Sequence, residues 1–253
     1  MAGMHVVRLV RAAITAAAGA VVTLAQLNLP NKELWARLEA VQWVSVIVVT
    51  LFLLYDAFWA ANQAVRARQM REYDADLRAA ISSTVTSIVD ALGVRWDEVS
   101  VQYYRSRRLL LRPTLVRVTG VRAGARLTDA GRSFRPGVGL VGTAFAEQVL
   151  IAEQWRDFFQ TATRQGPQAW KQRAHQQRYG LSWGQLRRSG GHDGAVASPT
   201  FAENGRPNGC IMISGPLKEA DLVSDEMGQI IDSLATTLDQ VGPPPAGWWS
   251  VHA

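Results

Sequence analysis

Residues 134–148 read Phe-Arg-Pro-Gly-Val-Gly-Leu-Val-Gly-Thr-Ala-Phe-Ala-Glu-Gln. Pro136 and the glycines that follow punctuate a turn, whereas the later part of the run is helical in type. The spacing Gly137-x-Gly139-x-x-Gly142 matches the dinucleotide fingerprint letter for letter. That chemistry needs a buried strand directly before the glycines and an acidic residue about twenty positions further on. Ser133, Phe134 and Arg135 precede the turn, and Pro136 is poorly suited to a central parallel strand. Asp157 stands at a suitable distance, but no βαβ unit surrounds it. The three glycines are therefore read as serving a tight turn and the close packing of the helix after it.

Upstream of this turn, Leu77, Ile81, Val85, Ile88 and Leu92 recur at spacings of three and four over residues 76–92, and Gly93 supplies a stop. The stripe is read as core packing or as a face that pairs with its copy in a second chain. Val99, Val101 and Tyr103 then alternate with polar residues as in a strand, and residues 109–121 form a second β-rich run interrupted by Pro113. A glycine-bearing loop over 121–131 leads into the turn. Downstream, residues 156–190 are polar, basic and aromatic, with Phe158, Phe159, Trp170, Tyr179 and Trp183. They are read as inserted helices or loops, closed by a turn at 190–194. Residues 196–200 and 209–214 look like strands around a turn at 203–206. Ser224 caps a last helix over 224–241 whose apolar set is Met227, Ile230, Ile231, Leu234 and Leu238. The Pro- and Trp-rich tail, 242–253, is left between contact with lipid headgroups and disorder.

This order of helix, strands, glycine turn and helix, strands and final helix resembles a GAF domain over residues 74–241. Residues 134–145 are similar to that family's turn into its mid-domain helix. Val196-Ala-Ser-Pro-Thr-Phe201, Asn204-Gly205 and Gly209-Cys-Ile-Met-Ile-Ser214 are similar to its closing hairpin. The resemblance implies an α+β fold: an antiparallel sheet with helices on one side, a small-molecule pocket on the other, and dimerisation through the first and last helices. From the family layout, Tyr103, Phe145, Trp155 and Ile211 are pocket candidates, and core packing explains each of them equally well. Leu77, Ile81, Val85 and Ile88 become the dimer or signalling helix. The late polar and acidic set by which several GAF-type proteins bind cyclic nucleotides is not found here, and a GAF-fold reductase acting on methionine sulfoxide uses several cysteines where this chain has one. No enzymatic activity is expected, and the cofactor is left unknown.

The N-terminal part has another character. Residues 41–61, VQWVSVIVVTLFLLYDAFWAA, are about long enough to cross a hydrocarbon core, with Trp43 near one end and Tyr55, Phe58 and Trp59 near the other. Asp56 is the one charge inside, about a turn from the end, and is read as a carboxylate reaching the headgroups rather than an intramembrane acid. Residues 12–29 are alanine-rich and at the short end for a span. Read as a signal peptide they have a basic start, Arg8 and Arg11; read as a first span they offer small-residue spacing at Ala16 and Ala20 and at Thr15 and Gly19. No polar mature region follows before the next apolar run, which favours a two-helix hairpin over residues 1–64, turning at Asn28-Leu29-Pro30-Asn31. Arg8, Arg11, Arg66, Arg68 and Arg71 flank the spans, against only Lys32 and Arg37 in the loop, balanced by Glu33 and Glu39. The positive-inside rule then gives a multi-pass protein of the cell membrane with both termini cytoplasmic. No proline or glycine occurs between Asn31 and Leu92, so the second span, residues 65–92 and the start of the domain are expected to form one nearly unbroken helix.

Composition narrows the chemistry further. The 253 residues carry a formal net charge of +6, four histidines and a single cysteine, Cys210. One cysteine excludes an intrachain disulfide, and the histidines lack ligand spacing. His175 and His192 are read as solvated, and Cys210 as a small buried thiol. Arg105, Arg107, Arg108, Arg112, Arg117, Arg122 and Arg126 cluster around the early strands. They are read as a solvated face or, with Arg66, Arg68 and Arg71, as a surface toward anionic lipid, where each contributes on the order of 1 kcal/mol. Without alternating aromatic and basic residues, nucleic acid is disfavoured as a partner. The expected partners are membrane lipid, a small-molecule ligand, a second copy or higher oligomer, and a partner protein. Three functions follow: a membrane-anchored sensor or regulatory module without an output domain, a ligand-triggered effector of bacterial defence that disturbs the bilayer, and a membrane scaffold that binds no ligand.

Overall fold

Two long helices occupy the N-terminal part, α1 (Ala2–Gln26) and α2 (Glu39–Leu92). The computed structural model describes residues 2–27, 29, 33, 37–109, 112–122, 133–189 and 192–252. The expected turn at 28–31 apart from Leu29, Lys32, most of the 121–131 loop with Arg126, and Gly190 and Gly191 lie outside the described residues, as do the side chains of Arg8, Arg11, Arg108 and Arg112. The chain divides into two compact units, Met1–Arg68 and Gln69–Ala253.

In the first unit, α2 is the one helix among the described residues that is long and apolar enough to cross a membrane. Its Trp43, Leu51, Leu54 and Phe58 are exposed, so this stretch is not the core helix of its unit. The apolar part of α1, Ala12–Gln26, is shorter than a span. The sequence suggested two spans; by length and composition one helix qualifies.

The second unit is an α+β fold. Six strands, β1 (Ser100–Leu109), β2 (Arg112–Arg122), β3 (Ser133–Phe134), β4 (Ile151–Glu153), β5 (Gly194–Phe201) and β6 (Pro207–Gly215), form one sheet in the order β3-β2-β1-β6-β5-β4, antiparallel at every step. Helix α3 (Gly139–Glu147), the kinked α4 (Trp155–Gln172) and the short α5 (Trp183–Arg188) lie between β3 and β5. Gly166, at φ +82°, breaks α4 ahead of Pro167. After the sheet come α6 (Glu219–Leu222), α7 (Asp225–Val241) and α8 (Trp248–His252). The Ser224 hydroxyl caps α7 by accepting from the Met227 N–H at 3.1 Å.

Strand periodicity divides the core between the two sheet faces. On one face, Val99, Val101, Tyr103, Ile211 and Ile213 pack with Leu77, Ile81, Val85 and Ile88 of α2 and Met227, Ile231, Leu234 and Leu238 of α7. On the other, Tyr104, Leu115, Ala195, Ala197 and Cys210 pack with Leu140, Ala144, Trp155, Trp170 and Leu186 of α3, α4 and α5. Of the two readings of the α2 stripe, core packing is what this chain shows: Ile81 and Ile88 have no exposed surface. The outer side of that helix is instead lined by short residues such as Ala75, Ala79, Ser82 and Thr86. The tail is neither disordered nor set toward lipid at Trp248, which is 1% exposed and donates its indole N–H to Asp74 Oδ1 at 2.7 Å.

Candidate functional site

The glycine turn sets one wall of a cavity on the second sheet face. Gly137 and Gly139 have φ of +78° and +71°, a region that costs a side-chain-bearing residue dearly. At Gly142 a Cβ would run into the backbone carbonyl of Arg135. The turn is closed by the Gly137 N–H to the Gly142 carbonyl at 2.6 Å and anchored outward by the Gly139 N–H to the Tyr179 carbonyl at 2.7 Å. The glycines thus serve chain geometry, next to a two-residue edge strand in an antiparallel sheet, and a Rossmann site has no place here.

The insertion builds the opposite wall. Trp155 donates its indole N–H to the Ser189 carbonyl at 2.8 Å, and Trp170 donates to Leu181 at 3.1 Å. Ser182 and Gln185 form a reciprocal capping box at the start of α5. The Tyr179 hydroxyl donates to Glu153 Oε2 at 2.5 Å, and burial together with that carboxylate pushes the phenol up. Phe158, Trp170 and Tyr179 gather beside Trp155, and the Arg173 guanidinium lies 5.4 Å from the Trp170 ring centre.

Between these walls lies a cavity of about 1250 Å³. Its floor is the polar side of β1, where Gln102 Oε1 accepts from the Tyr104 hydroxyl at 2.8 Å and from Arg117 at 3.4 Å. Gln102 Nε2 donates to Ser100 Oγ at 3.2 Å. Met212 and Ser214 continue the floor on β6. Burial pushes the Tyr104 phenol up, so it stays protonated and acts as a donor.

The basic residues of the cavity owe their placement to an irregularity. Tyr103 pairs with Thr119 but Tyr104 with Arg117, leaving Val118 as a bulge in β2. That extra residue resets the alternation, so Arg117 opposite Tyr104 and Arg122 opposite Ser100 share one face. Arg117, Arg122, Arg135, Arg156 and Arg188 all line the cavity, with Asp97, Glu98 and Asp193 as its carboxylates. Arg156 pairs with Asp193, and Arg95 with Asp97 at 2.6 Å. His192, read as solvated, is stacked on Trp155 instead. Burial first, then the Arg122 charge, lower its pKa to about 4.

Of the four pocket candidates only Trp155 lines this cavity. Tyr103 and Ile211 point to the α2–α7 side because strand alternation places them a step out of phase with Gln102 and Tyr104. Tyr103 borders a smaller cavity there, of about 440 Å³, with Thr200, Asn208 and Asp239. Phe145 is packed under α3. Gly139 borders the cavity through its backbone turn; Gly137 and Gly142 do not line it. Arg66, Arg68 and Arg71 are exposed on α2. Arg107, expected toward lipid, lies 5.3 Å from the Trp249 ring centre, and Arg105 donates to the Gly242 carbonyl at 2.7 Å. Cys210 is buried, and its thiol is pushed up by desolvation. Among the described residues no three of His, Cys, Asp and Glu gather as a metal site.

An antiparallel sheet, the first and last long helices of the unit on one face and a cavity on the other make an arrangement similar to the one the GAF resemblance implied. No family model matches the chain, and no curated protein matches it. Among solved structures it is similar to a GAF domain (12% identity over 71% of this chain and 88% of that chain, TM-score 0.39). It is similar to the type II free methionine-R-sulfoxide reductase of Thermoplasma acidophilum (16% identity, 66% of this chain and 94% of that chain, TM-score 0.41). A third similar structure is the GAF domain of a two-component sensor histidine kinase from Bacillus halodurans (14% identity, 64% and 95%, TM-score 0.35). Shared fold does not carry activity from one protein to another, so function rests on the site itself.

Proposed function

We propose that this chain is a membrane-anchored sensor or regulatory module that binds a small ligand in the GAF-like cavity and performs no chemistry of its own. The observation that carries this reading is the cavity: about 1250 Å³ over a hydrogen-bonded polar floor, walled by a glycine turn and an aromatic insertion. Concave sites with a few convergent polar groups are where small molecules bind. Cys210 has no part as a nucleophile in this reading, because it is buried and its thiol is pushed up into the neutral form.

In this reading the apolar stretch of α2 spans the bilayer, with α1 as a second membrane segment. Arg66, Arg68 and Arg71 then sit at the cytoplasmic surface, and the ligand unit is cytoplasmic. The output is a change in how copies of α2 or a partner protein associate. Ligand binding biases that association only through differential affinity for two states. Native mass spectrometry of the full chain, extracted in detergent from its own host, tests the ligand. A discrete small mass on the protein is expected; a bare protein across several growth conditions would overturn the reading.

A further inference from the structure

The smaller cavity, on the α2–α7 face of the sheet, has a chemistry of its own. We propose that it is a second binding site, independent of the large cavity, and that it takes a small free amino acid. In this site the ligand's carboxylate faces Arg105 and its ammonium faces Asp239 and Glu203. The cavity holds about 440 Å³, within the range of small-molecule clefts. It gathers charges of both signs from three elements: Arg105 from β1, Asp239 from the last turn of α7, and Glu203 from the turn between β5 and β6. Among the described residues none of the three is in an ion pair.

Arg105 is held where it stands by the end of α7, donating one N–H to the Gly242 carbonyl at 2.7 Å. Its planar fork carries further N–H groups, the geometry that meets a carboxylate. Burial pushes the Tyr103 phenol up; beyond that, Arg105 acts to lower it and Asp239 to raise it, so both charges stand near one hydroxyl. Thr200 donates to Asn208 Oδ1 at 2.7 Å, which turns the acceptor of that amide inward and leaves its NH₂ to donate. Phe201, 41% exposed, gives the cavity an apolar side for a short side chain. A lone anion would leave the two carboxylates unanswered, and a lone cation would leave Arg105 so. A molecule with both charges on neighbouring carbons answers all three, in a partly enclosed place where screening is weaker than in open water.

L-alanine, L-serine and L-leucine serve as probes on the full chain in detergent, with propionate and ethylamine as controls that each lack one charge. The proposal expects a saturable rise in melting temperature with at least one amino acid. Half-saturation by either control should need at least ten times the concentration. Asp239→Asn should weaken the amino-acid response at least tenfold, and Glu203→Gln less. Both residues are exposed, so these substitutions test the site without threatening the core. Hydrogen exchange with the responding amino acid should slow in peptides covering 200–208 and 235–243. No saturable response to any of the three, or an equal response in Asp239→Asn, would overturn the proposal. So would ethylamine acting as well as the amino acids, or protection confined to the large cavity. None of these outcomes bears on whether the large cavity holds a ligand, which the mass measurement decides separately.

Discussion

His192 shows at the residue scale how placement changes chemistry. Stacked on Trp155 with Arg122 close by, it resists protonation down to about pH 4, whereas a histidine in the unfolded chain titrates near 6.5. The unfolded state therefore takes up the proton first. Stability from this residue is complete above about pH 6.5, falls as the pH drops toward 4, and levels off at a loss on the order of 3 kcal/mol. Urea titrations between pH 7 and 4 should show that slope in wild type and a shallower one in His192→Asn; equal slopes would place the ring in water. Cys210 should react with a maleimide only as fast as the unit opens, since the thiol is both buried and held neutral. Rapid labelling of the folded protein would contradict its position. The glycines of the turn were legible from spacing alone, because a backbone that needs positive φ announces itself by residue type. The cavity arginines were not, because a bulge changes which face a side chain takes without leaving a mark in composition. Parity likewise assigned Tyr103 to one face and Tyr104 to the other, and both are apolar enough to suit either.

At the scale of elements, the α2 stripe and the C-terminal segment teach the same lesson. A spacing of three and four says that one helix face is covered; it does not say by what. Here the cover is the chain's own sheet and α7, so Ile81→Ala should lower unfolding stability by about 2–5 kcal/mol. A substitution on the exposed side, Ser82→Ala, should stay within about 0.5 kcal/mol. If Ile81→Ala were neutral to folding but abolished self-association, the stripe would be an interface after all. The helix, its stop at Gly93 and the closing hairpin could be read from periodicity and turn residues. The role of α8 could not, since five residues after a proline run carry no period. Trp248 packs edge-on against Tyr73 at 5.9 Å and hydrogen-bonds Asp74, so it ties the end of the unit to its first helix. Trp248→Ala should cost about 3–5 kcal/mol in denaturant titration, and Trp249→Ala, half-buried over Arg107, clearly less. Equal costs would mean that the two indoles share one role.

At the scale of the whole molecule, the absence of helix breakers between Asn31 and Leu92 was the plainest feature of the sequence, and α2 runs from Glu39 to Leu92. The proposed sensor uses that continuity. Replacing Ala67 with a Gly-Pro pair should leave ligand affinity intact while abolishing any ligand-dependent change in disulfide cross-linking of a cysteine placed at Ala57. The native Cys210 is buried and does not interfere with that assay. Unchanged cross-linking in the Gly-Pro variant would show that the ligand acts elsewhere. Hydrogen exchange on the full chain, before and after dialysis against the small-molecule fraction of its host, shows whether a ligand acts in the sheet cavity. Slower exchange on ligand addition is expected in peptides covering β1, β2, the turn at 134–142 and the wall at 180–189. Protection confined to the α2–α7 face, or none anywhere, would contradict it.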